Sequence, residues 1–106
     1  MVNQYEIYWI DLNPTRGSEI NKIRPGVVLS PNESNKHLNT VVIAPLTSTI
    51  RKSPMRLNIT LQGKKGQIAL DQIRAVDKSR LLNSSGELNT SEIKQLKKLL
   101  QEFLIA

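Results

Sequence analysis

The chain has 106 residues, 39% of them hydrophobic and 23% charged, which suits one compact domain and lies outside the disordered range. It has no cysteine and one histidine, His37, so disulfides, thiolate zinc sites, cysteine nucleophiles and histidine-pair metal or acid/base motifs are excluded. Fifteen Lys and Arg against nine Asp and Glu leave a net charge of +6, which favours an anionic partner.

Residues 16–80 hold twelve of the basic residues and four acidic ones, and residues 51–65 hold five basic residues and no acid. No apolar run approaches the ~18 residues of a membrane span. The N-terminus MVNQYEIYWI has neither a basic n-region nor a cleavage site, so a cytoplasmic protein with no membrane partner is expected.

In chain order, QYEIYWIDL (4–12) alternates Tyr5, Ile7 and Trp9 with Tyr8, Ile10 and Leu12. Apolar residues on both faces predict a strand buried largely on both sides, with Tyr5 and Trp9 in the core rather than forming a base-stacking platform. NPTRGSEINKI (13–23) is a polar loop punctuated by Pro14 and Gly17. Pro25 pushes Arg24 out of the helical region, so Arg24 is expected at the entrance of the short strand GVVLS (26–30).

PNESNKHLN (31–39) predicts a turn-rich loop, TVVIAPL (40–46) a buried strand, and TSTIRKSP (47–54) a basic, hydroxyl-rich connection. MRLNITL (55–61) alternates, QGKKG (62–66) predicts a hairpin turn, and QIALDQIRAV (67–76) a long strand with Asp71 and Arg74 inside it. NSSG (83–86) is expected to be a turn. Ile93, Leu96, Leu99, Leu100, Phe103 and Leu104 recur at steps of three and four, predicting an amphipathic helix capped by Asn89 or Thr90 with Glu92 in its first turn. The expectation is one α+β domain over residues 1–106, mostly β, five strands in a small curled sheet or barrel followed by a helix.

Any catalysis must rest on hydroxyls, carboxylates and cations at strand ends and loops. Three clusters qualify: Arg16, Ser18, Glu19 and Lys22 leading to Arg24; Thr47 and Ser48 with Arg51; and Asp71, Gln72 and Arg74. Each also has an ordinary structural reading, as solvated loop charge, a turn-capping hydroxyl or a strand ion pair.

The succession YWIDLNPTRGSE, RPGVVLS, VVIAPLTS and GQIALDQIRAVDKSRL, in this order and spacing, resembles the MazF/PemK family of toxin endoribonucleases over about residues 5–104. The resemblance implies a twisted SH3-like barrel with a C-terminal helix, and a homodimer whose interface helps form the RNA groove. It implies metal-independent, cofactor-free cleavage of single-stranded RNA at short sequences, leaving 2′,3′-cyclic phosphate and 5′-hydroxyl ends. An acidic antitoxin tail, MazE-like, is the implied inhibitory partner.

Carried over by motif, Arg24 and Thr47 are the implied catalytic pair, Arg24 stabilising charge on the phosphorane through its planar fork of donors. Arg16, Ser18, Glu19, Asp71, Gln72 and Arg74 are the implied groove and base-reading positions, with Lys22, Ser48 and Arg51 completing the RNA-binding set. Gln72 is expected to read bases, and Arg51 to contact phosphates of any sequence. One branch of the family pairs this aspartate with a basic residue two positions earlier and a histidine in the first loop. Ala69 and Ser18 stand there in this chain, which favours Arg24 and Thr47 over an Asp71-centred scheme. The alternatives are a catalytically silent RNA- or antitoxin-binding module, and a CcdB-like gyrase poison, whose exposed tryptophan near the C-terminus this chain lacks.

Overall fold

A computed structural model describes residues 1–105. The strands are β1 (Glu6–Asp11), β2 (Ile23–Val28), β3 (Thr40–Thr47), β4 (Arg56–Leu61), β5 (Lys64–Ala69), β6 (Arg74–Asp77) and β7 (Leu81–Glu87), with helices α1 (Asn32–His37) and α2 (Thr90–Leu104). The sheet runs β4-β5-β3-β2-β1-β7, and β6 pairs with β3. Every pairing is antiparallel.

The sheet curls around two apolar clusters, as alternation along the strands requires. Ile7, Val27, Leu46, Ile68 and Leu70 pack with Leu96 of α2 in one, and Ile10, Leu12, Val28, Val41, Ile43 and Val76 fill the other. The expected cap is Asn89: its side chain accepts from the Glu92 amide (2.8 Å) while the Glu92 carboxylate accepts from the Asn89 amide (2.9 Å). Ile93, Leu99 and Leu100 pack on the first cluster, whereas Phe103 and Leu104 remain exposed.

Four expectations change. The strand foreseen over 67–76 breaks at a 3-10 turn, Leu70–Gln72, because Ile68, Ala69 and Leu70 are all fully buried, a run that strand alternation cannot aim at one core. The break swings Leu70 inward and carries Asp71 and Gln72 out of the strand. NSSG is not a turn but part of β7, an edge strand whose mostly exposed residues carry no apolar alternation. Residues 32–37 form a helix around a buried Asn35, which exchanges hydrogen bonds with Ser30. The hairpin turn is only Gln62-Gly63, both at positive φ (51° and 80°) as a two-residue turn of primed type requires, so Lys64 and Lys65 belong to β5.

Trp9 is the remaining correction. It shares a strand face with buried Ile7 but lies past the edge of the core, 41% exposed opposite Pro25. Tyr5 does pack against the first cluster.

Candidate functional site

β3 is the strand on which the site is organised. Its register with β2 pairs Gly26 with Pro45 and Val27 with Ala44, and the ladder ends there; Arg24, two residues before Gly26, and Thr47, two residues after Pro45, both line the cavity beyond that end. On its other side Thr47 pairs with Gln67 of β5, which pairs with Asn58 of β4. Thr47, Gln67 and Asn58 thus form one polar row across three strands.

Thr47 is nearly buried, and its hydroxyl oxygen accepts from the Thr49 amide (3.1 Å), leaving the hydroxyl proton available to donate. Gly66 permits the close packing behind it: a Cβ there would lie 3.0 Å from the Thr47 carbonyl oxygen. The only hydrogen bond of the Arg24 side chain among the described residues runs from Nε to the Asn21 carbonyl (3.1 Å), which leaves the two Nη groups free.

Arg24 and Thr47 line a cavity of about 330 Å³ together with Ser18, Glu19, Asp71 and Gln72. Arg51, from the expected set, and Arg56, which sequence reasoning did not single out, complete its charged lining. Arg74 lies further along, in a neighbouring cavity that shares Ser18, Glu19, Asp71 and Gln72, and Ser48 lies on the far side of Thr47. Arg16 and Lys22 line none of these cavities.

Several of these groups already have structural work. Arg56 grips Asp71 with two bonds, Nε to Oδ1 at 2.7 Å and Nη2 to Oδ2 at 3.2 Å, the fork-on-carboxylate geometry that makes such pairs strong. Burial pushes the Asp71 carboxyl up, but the Arg56 hydrogen bonds and charge, with a contribution from Arg51, win and hold it below the usual carboxylate range. Glu19 accepts from the Arg16 amide (2.5 Å), tying the tip of the first loop to itself. Arg74 donates to the Leu12 carbonyl (3.1 Å), and Arg80 to the carbonyls of Asp11 and Asn13, so both guanidiniums anchor the start of that loop.

Gln72 has a structural part as well, which the sequence did not show. Its Oε1 accepts from the Ile20 amide (3.1 Å) and its Nε2 donates to the Ser18 carbonyl (3.3 Å), so the amide latches the first loop over the turn after β5. Gln72→Ala is accordingly expected to loosen residues 16–20, read as faster proteolytic nicking within residues 16–22, with global stability lowered by no more than about 1–2 kcal/mol of hydrogen bonding.

Gln67 is the residue the sequence hid. It is 3% exposed; its Oε1 accepts from the Arg51 amide (3.0 Å), and its Nε2 donates to the Arg51 carbonyl (3.0 Å) and to Asn58 Oδ1 (2.8 Å). The clamp fixes the connection after Thr47 and sets Arg51 at the rim of the cavity. The available signal was slight: a glutamine at the head of the predicted strand 67–76, next to an apolar run. Among the described residues there is no cluster of three or more His, Asp or Glu side chains able to hold a metal ion, and no helix is long and apolar enough to cross a membrane.

The fold recurs in solved structures. MazF (form I) from Deinococcus radiodurans aligns with a TM-score of 0.86 at 23% identity, over 99% of this chain and 97% of that one. An endoribonuclease in complex with its cognate antitoxin, from a mycobacterial species, aligns with a TM-score of 0.83 at 23% identity, over 98% and 95% of the two chains. Toxin MazF-mt6 from Mycobacterium tuberculosis aligns at 0.76 and 19% identity, over 92% and 93%. At these identities the likeness is one of fold. Sequence carries the rest: the family model described as PemK-like, MazF-like toxin of type II toxin-antitoxin system matches residues 3–104. The chain therefore belongs to the PemK-like, MazF-like toxins of type II toxin-antitoxin systems.

Proposed function

We propose that this toxin is a cytoplasmic endoribonuclease that cuts single-stranded RNA at a short sequence, leaving 2′,3′-cyclic phosphate and 5′-hydroxyl ends. The observation that carries the reading is that Arg24 and Thr47 line one cavity of about 330 Å³, with the guanidinium Nη groups free of hydrogen bonds among the described residues. In this reaction the 2′-hydroxyl attacks the adjacent phosphorus, and the P–O5′ bond breaks as the 2′–O–P bond closes. The 2′-hydroxyl gives up a proton and the departing 5′-oxygen takes one up. Negative charge builds on the non-bridging oxygens between those events. A guanidinium matches those oxygens with a planar fork, and the Thr47 hydroxyl supplies a further donor.

The surrounding cations suit the rest of the chain of phosphates. Arg51 joins Arg24 in one cavity, while the charge of Arg56 is taken up by Asp71, and the net charge of +6 attracts both an RNA and an acidic antitoxin segment. The relative captured with its cognate antitoxin supports the second partner, and a homodimer that shares the groove belongs to the same reading. The direct test is to incubate the protein with a long, weakly structured RNA in EDTA and sequence the new 5′-hydroxyl ends. Ends sharing one short motif support the reading. Their absence, with folded protein free of antitoxin, overturns it.

Asp71 takes no proton in this scheme. Held ionised by Arg56, it is an acceptor with low proton affinity, so acid down to pH 5 does not change its charge. Because Asp71 is ionised throughout pH 5 to 8, its part is read from the rate and not from a slope: a folded Asp71→Asn protein is expected to cleave within about tenfold of the wild-type rate at pH 7, and a loss of about 10²-fold or more, the size of a general base's contribution, would make Asp71 the base.

A further inference from the structure

The connection between β3 and β4, residues 48–54, is exposed throughout and brings Arg51 into the lining of the charged chamber that Arg24 and Thr47 share. It is tied to the rest of the fold at one residue. The Thr49 amide donates to the Thr47 hydroxyl, and Ser53 accepts from the amides of Met55 and Arg56, so those bonds stay within the connection or at its ends. Among the described residues only Arg51 bonds to another element. Both of its backbone groups do so: the N–H donates to Gln67 Oε1 and the carbonyl accepts from Gln67 Nε2, each at 3.0 Å, as a neighbouring strand would hold it. Asn58 Oδ1 accepts from the same Nε2 (2.8 Å) and so fixes which way the amide faces.

The side chain that this tether presents is uncommitted. Among the described residues the Arg51 guanidinium has no hydrogen bond or ion pair, whereas Arg56 in the same chamber is paired with Asp71. The Arg51 charge still reaches the Asp71 carboxyl, which it helps to hold low. Arg24 and Arg51 are thus the chamber's two guanidiniums with open Nη groups.

We infer that Gln67 is a positioning residue for RNA: by clamping the backbone of Arg51 it holds that guanidinium where it meets a phosphate of the bound strand. The inference rests on the reading of the chamber as the RNA site. Gln67 itself touches no RNA in this scheme, being 3% exposed and covered by the connection it holds.

The effect on binding follows from conformational entropy. An arginine on an untethered loop has to be ordered when it meets a phosphate, and the ordering of backbone and side chain weakens the contact. Gln67 removes that cost by ordering the loop during folding. A phosphate contact of this kind is made equally in the ground state and the transition state, so losing the clamp raises KM and leaves kcat nearly unchanged. It is also a contact between charges, so it registers in the salt dependence of binding. A purely structural role has a different signature: less folded protein lowers the maximal rate and alters neither KM nor the salt slope.

Binding is read from the anisotropy of a labelled 2′-O-methyl RNA strand of mixed sequence, which lacks the attacking 2′-hydroxyl, and cleavage from new 5′-hydroxyl ends on a long RNA. Gln67→Leu, assayed well below its melting temperature, should weaken binding and raise KM about 3- to 10-fold, with kcat within about twofold of the wild type. The slope of log K against log salt should flatten toward that of Arg51→Ala, by up to about 0.7 for the one phosphate concerned. In an Arg51→Ala background the same substitution should change KM by less than about twofold, because the guanidinium through which it acts is gone. Gln67→Asn keeps an amide but falls one methylene short of Arg51. It should show the same pattern, and it carries the test where Gln67→Leu does not fold.

A folded Gln67→Leu or Gln67→Asn protein with wild-type affinity and salt slope overturns the inference. A fall in maximal rate alone does the same, as does a rise in KM that is equally large in the Arg51→Ala background, since either makes Gln67 a residue of the fold only. Should the wild type cut no RNA, the nuclease reading falls, and the binding of the 2′-O-methyl strand still decides whether Gln67 acts through Arg51. A wild type that binds no strand overturns both.

Discussion

Arg24→Ala is expected to lower the rate of RNA cleavage about 10²- to 10³-fold while leaving the circular dichroism spectrum and the melting temperature close to those of the wild type. The size follows from the role. A donor aimed at charge that develops only in the transition state contributes little to binding the ground state, so its loss appears in kcat more than in KM. The small structural effect follows from the contacts: the side chain is half-buried at the start of β2, and among the described residues it makes one hydrogen bond, to Asn21. Arg24→Lys keeps the charge but not the fork, and should recover only part of the rate. The number of new 5′-hydroxyl ends formed per unit time measures each variant. A folded Arg24→Ala protein that cuts faster than about a tenth of the wild-type rate removes Arg24 from the mechanism.

The motif pieces that carry this site were legible in the sequence because each has a local physical signature. Pro25 fixes the extended backbone of Arg24, and the apolar run before Thr47 marks the end of a buried strand. That the two meet in one cavity depends on strand pairing, which only the folded chain supplies: Gly26 sits opposite Pro45, and Arg24 and Thr47 lie just beyond that end of the ladder. The same limit explains the misplaced elements. β7 pairs with β1 through its backbone and shows no alternation to read, and the break at Leu70–Gln72 answers to burial of three successive residues, a demand of the packed core. Trp9 illustrates the reverse error. Alternation assigned it correctly to the face of Ile7, but a face can run past the core it covers, and the edge of that core is set by where β2 and the hairpin end.

The partners of these groups were harder to read than their positions. Asp71 and Gln72 do line the cavity, yet one is paired with Arg56 and the other latches the first loop, partners 15 and at least 52 residues away in sequence. Such distant pairings leave no trace in local pattern. The consequence is that the charged chamber is preorganised: its carboxylate, its amide and its loop are fixed by the protein's own contacts, which lowers the ordering cost of binding in the proposed RNA site.

Gln67→Leu is expected to destabilise the protein by about 2–4 kcal/mol, because the Arg51 amide, the Arg51 carbonyl and the Asn58 side chain would face a buried apolar group. In a domain of this size that is a fall in Tm of roughly 10 °C or more. Gln67→Glu separates hydrogen bonding from packing, since the shapes match. One carboxylate oxygen can still accept from the Arg51 amide. The other replaces the amine and faces the Arg51 carbonyl, which can only repel it unless the carboxyl is protonated and donates. Burial and that carbonyl together raise the carboxyl's pKa in the folded state above its unfolded value of about 4.3. The bond's contribution is then fully present below about pH 4.3 and is lost as pH rises through the folded-state pKa. Melting Gln67→Glu beside the wild type at pH 4.5 and 7.5 should therefore show a Tm deficit that widens at the higher pH. A deficit that stays constant would mean that the amine of Gln67 does not hold the Arg51 carbonyl, and that the rim of the cavity is fixed by something other than this clamp.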